Sequence, residues 1–190
     1  MTRIVVAIIF MLQAFSLQAS SDFYLGAQWG AYQLESDESF DTEVNAAGVL
    51  FGYRIFDNVA VESRIGLGLG SYETEYTLND VVYDIDVTLD HYVSAYIRPQ
   101  IDVNLVTLYG LAGLSKATLS GESTSNGTDI DVKLEDSSFS YGAGIGYVNA
   151  DDVEFNLEYI QLVNTGDYSV GGINFSVQFP LGQSDDQEDW

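Results

Sequence analysis

The stretch AGVLFGYRIFDNVAVESRIGLGL, Ala47 to Leu69, decides the fold because its side chains alternate between two kinds. Odd positions carry most of the large apolar residues, whereas even positions carry mainly glycine, alanine and charged residues. Side chains on a β-strand alternate between the two faces of the sheet, so the pattern predicts two strands with one apolar face each. Each strand has about the 9 to 11 residues that a tilted strand needs to cross a bilayer.

The turn between these strands is predicted at Phe56, Asp57 and Asn58. If the even-numbered residues of both strands lie on one face, the numbers of two directly opposed residues must add up to an even number. This condition places Ile55 opposite Val59. A hairpin loop of this length ends in a left-handed residue, and asparagine tolerates that conformation. We therefore expect Asn58 to be left-handed.

The charges of the hairpin lie on its even face. In the predicted register Arg54 is diagonal to Glu62, and Arg64 follows on the same face. A charged side chain facing lipid costs about 2 to 4 kcal/mol at the bilayer midplane. We therefore predict that the apolar face contacts lipid and that the charges face a barrel lumen.

The N-terminus is predicted to be a secretory signal peptide over residues 1–19. Arg3 supplies the positive charge, Ile4 to Leu12 is a short apolar core, and Ala19 precedes the expected cleavage point. This apolar run is well short of the roughly 20 residues of a membrane-spanning helix. After export, a closed barrel is then the remaining way for the chain to reside in a membrane. We assign 20–179 to the barrel and 180–190 to an acidic periplasmic tail.

Composition narrows the functional classes. The formal net charge is −23, which repels nucleic acid and anionic ligands and favours cations, so we exclude nucleic-acid binding. The sequence has no cysteine, so no disulfide supports the fold. Aromatic residues make up 13% of the chain, as is typical of the aromatic girdles of membrane barrels.

Six further segments show the same alternation, namely residues 23–32, 89–98, 106–117, 138–148, 153–162 and 172–179. Long connections follow the first, third and fifth strands, and short turns follow the second, fourth and sixth. This predicts an all-β fold, an eight-stranded antiparallel up-and-down transmembrane β-barrel with periplasmic termini. A lumen of this size is filled by its own side chains.

For two strands we state which residues we expect to face the lumen. In residues 106–117 both parities are small or apolar, and we favour Tyr109, Gly113 and Ser115 inward. In residues 89–98 we expect Leu89 outward and Asp90 inward.

Two predicted loops, residues 71–87 and 118–137, contain a near-repeat: DIDVTLD begins at Asp84 and DIDVKLE begins at Asp129. Acid on every second residue places carboxylates on one face of a strand extension above the membrane. Divalent cations are candidates to bind there, through the residues Asp84, Asp86, Asp129 and Asp131. Neither segment has the spacing of a dedicated calcium loop, so a solvated acidic rim is the alternative.

The segments FYLGAQWG, FGYRIFDNVAVESRIGLG, YVSAYIRPQ, SYGAGIGY, VEFNLEYIQL and INFSVQF resemble, in this order, the OmpA/OmpX-type outer-membrane β-barrel family. The resemblance covers nearly the whole mature chain. It implies a bacterial outer membrane location, insertion by the barrel assembly machinery, and roles from envelope integrity to adhesion or narrow-pore conduction. Two features depart from the family: Phe179 is followed by PLGQSDDQEDW, and no room remains for a peptidoglycan-binding domain.

Five charged residues are predicted to form a lumen ion-pair network, namely Arg54, Glu62, Arg64, Arg98 and Glu158. Such a network either gates a narrow water path or simply satisfies buried charges. The single histidine, His91, faces outward by parity, and its same-face neighbour Val93 is no nucleophile. No phosphate loop or metal motif is present, so we expect neither enzymatic activity nor a cofactor.

We predict a monomeric outer-membrane barrel with a structural or surface-interaction role, in contact with outer-membrane lipid and lipopolysaccharide. A narrow cation-preferring pore is one alternative. A lipocalin-like periplasmic binding barrel is the other, and it would reverse the two faces of every strand.

Overall fold

A computed structural model describes residues 22–36, 40–78, 81–125, 128–166 and 168–181. This part of the chain is built from antiparallel strands: β1 (Phe23–Ser36), β2 (Phe40–Phe56), β3 (Val59–Gly68), β4 (Tyr72–Leu78), β5 (Val81–Val103), β6 (Val106–Ser125), β7 (Thr128–Val148), β8 (Glu154–Asn164) and β9 (Tyr168–Leu181). Within the ranges given above, no helix is long and apolar enough to cross a membrane.

The strands close into an eight-stranded barrel, as predicted. β1 pairs with both β2 and β9, β2 also pairs with β3, and from β4 to β9 each strand pairs with the next one in sequence. β3 pairs with the lower part of β5 and β4 with its upper part, so β3 and β4 together occupy one barrel position. Gly70, with φ +88°, lies in the short break between them.

The organising hairpin has the predicted ladder except at its turn. Ala46 pairs with Gly68 and Arg54 with Ala60, in the expected register. The expected pairing of Ile55 with Val59 is wrong, because an irregularity after Arg54 makes Phe56 the partner of Val59. The turn is therefore shorter than predicted, and Asn58 is not left-handed.

The predicted facing of the strands is confirmed except at the start of the segment 89–98. Val49 and Ile65 are 54% and 52% exposed on the outside, whereas Arg64 is 1% exposed inside. On β6, Tyr109 and Ser115 are buried and Leu114 is exposed, which confirms the favoured facing of that strand. A lipocalin-like barrel requires the opposite arrangement, so that alternative is wrong.

The upper parts of β5, β6 and β7 extend well beyond the predicted strand ends, and β4 was not predicted. Most of the segments 71–87 and 118–137, predicted as loops, is strand in β4, β5, β6 and β7. The acidic residues suggested loops, but every second residue between them is apolar or β-branched, which is the alternation of a strand with one wet face.

The expected facing of Leu89 and Asp90 is also wrong. A bulge between Leu89 and His91 shifts the parity of β5, so that Leu89 is buried in the interior. Asp90 instead lies on the outer side, where its carboxylate accepts a hydrogen bond from Ser120 at 2.8 Å. A bulge adds one residue to a strand and so reverses the facing of what precedes it.

Candidate functional site: the barrel interior and the projecting sheet

The lower interior, towards the short turns, contains a buried ion-pair network centred on Glu62. Arg64 lies between two carboxylates, with Nη2 2.5 Å from Glu62 and Nη1 2.5 Å from Glu158. Arg98 contacts Glu62 at 3.2 Å and Glu154 at 2.6 Å. The network therefore links β3, β5 and β8 across the lumen.

Glu154 was missed by the sequence reasoning although a signal was present. It shares the inward parity of Asn156 and Glu158 on the same strand. The predicted strand, residues 153–162, includes Glu154, so the same alternation would have placed it in the lumen.

Arg54 does not join the network, and its predicted ion pair with Glu62 is wrong. It is half-buried, and within the described ranges the structure gives it no ion pair. Both oxygens of Glu62 are already occupied, Oε2 by Arg64 and Oε1 by Arg98 and the Tyr24 hydroxyl at 2.7 Å. Arg54 lies nearer the turn, opposite Ala60, with its Nε buried and without a protein partner.

Tyrosines complete the network by packing on glycines of adjacent strands. The Tyr24 ring covers Gly52, where an added Cβ would meet the ring Cζ at 2.0 Å. The Tyr109 ring covers Gly144 in the same way, and its hydroxyl donates to Glu158 at 2.8 Å. The small residues of the inner faces thus make room for the large side chains that fill the lumen.

A layer of uncharged polar groups closes the network from above. Gln28 donates to the Tyr92 hydroxyl at 2.8 Å, and the Tyr32 hydroxyl lies 3.2 Å from the same oxygen. Above this layer the interior is apolar; we call its buried residues the upper cluster, namely Leu34, Val44, Val87, Leu89, Ala117, Leu119, Leu162, Val163 and Val170. The charged lower interior is therefore separated from the upper end of the barrel by buried apolar side chains.

β4 and the upper parts of β5, β6 and β7 form a projecting sheet above the apolar belt. The outer face changes character just above Leu114 and Phe139, which are 67% and 60% exposed, because Lys116 and Glu135 follow them. β7 pairs with β6 along almost its whole length but with β8 only from Tyr141 onward. In the part of the chain that the structure describes, residues 128–140 of β7 are thus a one-sided edge.

The loop between β8 and β9 fastens the base of this edge. The Asn164 amide donates to Ser138 at 3.0 Å, and the Tyr168 hydroxyl donates to Asp136 at 2.9 Å. Partial burial, followed by the hydrogen bond to Asp136, raises the pKa of the Tyr168 phenol. The phenol is therefore a stable donor to Asp136 at the base of this edge.

The backbone register brings acidic residues into rows across the projecting sheet. Glu73 is opposite Asp86, Asp86 is opposite Glu122, and Glu122 is opposite Asp131. The two near-repeats are not neighbours, because β6 lies between them. Of the four candidate metal ligands, Asp84, Asp129 and Asp131 have side chains outside the described set, and Asp86 has a buried Oδ1 without a protein partner.

No group of three or more potential metal ligands forms among the described side chains. The divalent-cation site therefore stays a prediction. Its strongest support is the acidic row, since like charges directly opposite each other on neighbouring strands are destabilising unless something offsets them.

The outer face of the same sheet carries both lysines of the chain. Lys116 pairs with Glu135 at 2.7 Å, and Lys133 lies 3.8 Å from Asp90. The Lys116 hydrogen bond and charge hold the pKa of Glu135 below its usual value. His91 is 3.4 Å from the Thr118 hydroxyl, a contact that the sequence did not reveal, but Thr118 is fully buried and presents no nucleophile to a substrate.

Solved structures with the same fold are outer membrane proteins. Ail, the attachment invasion locus protein of Yersinia pestis, is 17% identical with a TM-score of 0.58, over 83% of this chain and 98% of that one. Neisserial surface protein A is 15% identical with a TM-score of 0.55, over 86% and 99%. OprG from Pseudomonas aeruginosa is 13% identical with a TM-score of 0.54, over 84% and 96%. Ail has also been solved with the heparin analogue sucrose octasulfate.

No curated protein sequence matches the chain. The family profile described as "Outer membrane protein beta-barrel domain" matches residues 4–179. The chain, with its apolar outer belt and filled lumen, therefore belongs to the outer membrane protein beta-barrel domain family and resides in the bacterial outer membrane.

Proposed function

We propose that the protein is a non-conducting surface protein that binds a partner through the projecting sheet. The observation that carries this proposal is the one-sided edge of β7 over residues 128–140, which lies above the apolar belt of the barrel. An unpaired strand edge presents a row of backbone donors and acceptors, which is a template for an added strand.

The alternative, a narrow cation-preferring pore, needs a continuous polar path through the barrel. Arg64 and Arg98 are at most 1% exposed, and the upper cluster covers the layer above them. These features favour a closed barrel. The test is planar bilayer conductance of the wild type and of the variants Glu62→Ala and Arg54→Ala.

We expect near-zero conductance for the wild type and for both variants, because the upper cluster remains in place when a charge below it is removed. Arg54→Ala is the matched control, since Arg54 lies outside the network. Cation-selective single channels in the wild type would support the pore and overturn the closed barrel.

The chemistry of the partner follows from the charge of the sheet. Rows such as Glu73, Asp86 and Glu122 cross it, and Asp129 and Asp131 lie on the edge strand itself. An extended segment with lysine or arginine on alternate residues matches both the backbone edge and the charge. The acidic sheet contrasts with the polyanion present in the Ail structure, so we expect sucrose octasulfate to bind this chain poorly.

Peptides test the docking edge directly. The probes are an extended peptide of alternating lysine and threonine, the same peptide with glutamate for lysine, and an N-methylated lysine peptide. We expect saturable binding of the first alone to the detergent-refolded protein, because only it offers both charge and backbone pairing. Equal binding of the N-methylated peptide would show that the attraction is merely electrostatic.

Two proline variants locate the binding backbone. Successive amides of an edge strand point alternately to the neighbour and to the free side, so Lys133→Pro and Leu134→Pro remove one amide of each kind. We expect one variant to fold normally and lose the peptide. Retention of binding by both folded variants would exclude the β7 edge.

Contact with lipid and lipopolysaccharide is proposed for the outer face. Exposed apolar side chains form the belt, and Lys116 lies just above Leu114 on the outer face. We expect phosphorylated headgroups to begin at this height. We propose a monomer inserted by the barrel assembly machinery. Measuring retention of lipid A by Lys116→Gln relative to wild type in native mass spectrometry tests the lipid contact, and unchanged retention would remove Lys116 from it.

A further inference from the structure

Leu134 on β7 is an apolar side chain on the interior face of the sheet that the protein leaves half exposed. The register places it directly opposite Leu119 of β6, and directly opposed residues lie on the same face of a sheet. Leu119 is 3% exposed in the upper cluster, whereas Leu134 is 46% exposed. Leu119 has Leu89 of β5 beside it as well as Leu134, whereas β8 pairs with β7 only from Tyr141 onward. The exposure of Leu134 therefore belongs to the one-sided edge.

The loop between β8 and β9 covers the lower end of this edge. Asp136 lies on the same face as Leu134, two residues further along the strand, and its carboxylate accepts the Tyr168 hydrogen bond at 2.9 Å. Ser138, the next residue on this face, accepts a hydrogen bond from the Asn164 amide at 3.0 Å. The exposed apolar surface of the edge thus begins at Leu134, directly above these contacts.

The opposite face of the edge is charged. Lys133 and Glu135 flank Leu134 in sequence, so their side chains lie on the outer face of the strand. These side chains are 63% and 51% exposed. Glu135 is 2.7 Å from Lys116, and Lys133 is 3.8 Å from Asp90. At this point β7 therefore presents an apolar group on one face and charged groups on the other.

An amphipathic strand matches both faces of this edge. The side chains of an added strand alternate between the two faces of the sheet, whichever direction the strand runs. We propose that the partner segment carries apolar, β-branched residues on the face beside Leu134 and its lysines or arginines on the face beside Glu135. This inference rests on the proposed docking function and adds its specificity. Charge attracts basic segments to the sheet, and burial of Leu134 selects the amphipathic ones among them.

Two other occupants fit the edge less well. Pairing with β7 of a second copy would bring Asp129, Asp131 and Glu135 of one chain close to the same residues of the other, and like charges on neighbouring strands are destabilising. A lipid chain would have to leave the apolar belt, because Leu134 lies above Lys116 on the strand pair. A basic amphipathic segment meets neither obstacle.

Three peptides test the apolar contact. The first alternates lysine and threonine, the second has valine in place of every threonine, and the third contains the residues of the second with lysines and valines in separate blocks. Valine and threonine are both β-branched, so the first two peptides differ in the polarity of one face. Fluorescence anisotropy of labelled peptides measures binding to the detergent-refolded protein. We expect the alternating valine peptide to bind about fivefold more tightly than the other two.

Two variants of the protein assign this preference to one side chain. Leu134→Thr should bind the two alternating peptides equally, because the gain from valine requires an apolar neighbour. Leu157→Thr changes a side chain that is 54% exposed on the lipid-facing side, and it should keep the fivefold preference. This second variant also controls for partition of the valine peptide into detergent. Heat-modifiable migration verifies that each variant has folded.

Equal binding of the valine and threonine peptides to the wild-type protein overturns the inference and leaves the docking edge intact, because the threonine peptide still binds. The inference is also wrong if Leu134→Thr keeps the preference for valine. Failure of every peptide to bind would overturn the docking function and this inference with it. Dimers of the free protein in analytical ultracentrifugation that Leu134→Thr dissociates would identify a second copy as the occupant, again against the inference.

Discussion

The two halves of the barrel interior are opposite in polarity. Below the Gln28 and Tyr92 layer the interior holds charges and amides and the outside is apolar; above it, the interior is the upper cluster and the outside carries Lys116, Glu135 and Asp90. The same strands, β5 to β7, run through both halves. The surroundings therefore determine which residues face inward. Within the membrane the apolar face contacts lipid, and above it the polar face contacts water.

Removing one charge from the lower half should have the largest effect. Arg64→Met leaves Glu62 and Glu158 buried without their main cation, and we expect a loss of about 3 to 5 kcal/mol in the free energy of unfolding. Urea unfolding in lipid vesicles measures it. Arg54→Met, with no ion pair to lose, serves as the control. Similar losses in the two variants would show that the network contributes little.

Truncation in the upper half should cost nearly as much for a different reason. Leu162→Ala opens a cavity in a packed apolar interior, with an expected loss of about 2 to 5 kcal/mol. Leu157→Ala on the same strand removes a side chain that is 54% exposed to lipid, and we expect a clearly smaller loss. Equal losses would mean that the upper cluster is not a packed interior.

The tyrosine rings that pack on glycines in the lower interior can be tested by substituting the glycine. Gly144→Ala places a methyl group 2.5 Å from the Tyr109 ring, and overpacking of this kind costs about 1 to 3 kcal/mol. Gly110→Ala is the matched control, because its nearest neighbours are 3.9 Å away. Thermal unfolding of the two variants in the same detergent should separate them, and a stable Gly144→Ala would show that the ring moves aside freely.

The smallest expected effect concerns the acidic rows. Calorimetric titration of the refolded protein with calcium should give a weak saturable heat that Asp86→Asn reduces, because Asp86 is opposite Glu73 on one side and Glu122 on the other. Lys116→Gln, on the outer face nearer the membrane, is the control. The absence of saturable heat in the wild type would leave a solvated acidic rim.

The facing of side chains in the lower half of the barrel was predicted well from the sequence. Side chains on a strand alternate between two faces, so the facing of one residue fixes the facing of the others. Once Val49 and Ile65 face lipid, Arg64 must face the lumen, and this parity also placed Arg98 and Glu158 inside. Which carboxylates pair with each arginine is harder to predict from the sequence, because it depends on which strands face each other across the lumen. Arg54 was misassigned because an adjacent diagonal position does not show that Glu62 is already saturated.

The projecting sheet was harder to predict for two physical reasons. Its strands carry carboxylates on the wet face, so composition suggested loops where the alternation of Ile85 and Val87 indicated strand. The bulge at Asp90 leaves no trace in the residue pattern, and it reversed the expected facing of Leu89. The one-sided edge of β7 follows from the shortness of β8, which only the closed register reveals.

The break at Gly70 between β3 and β4 has an evolutionary consequence. It leaves β5, β6 and β7 as the strands that run without a break from the barrel into the projecting sheet. Matched insertions of two residues per strand would lengthen this sheet without changing which side chains face inward, whereas single insertions would require a compensating bulge. The reach and the recognition surface of the sheet are therefore free to diverge in steps while the membrane anchor below stays unchanged.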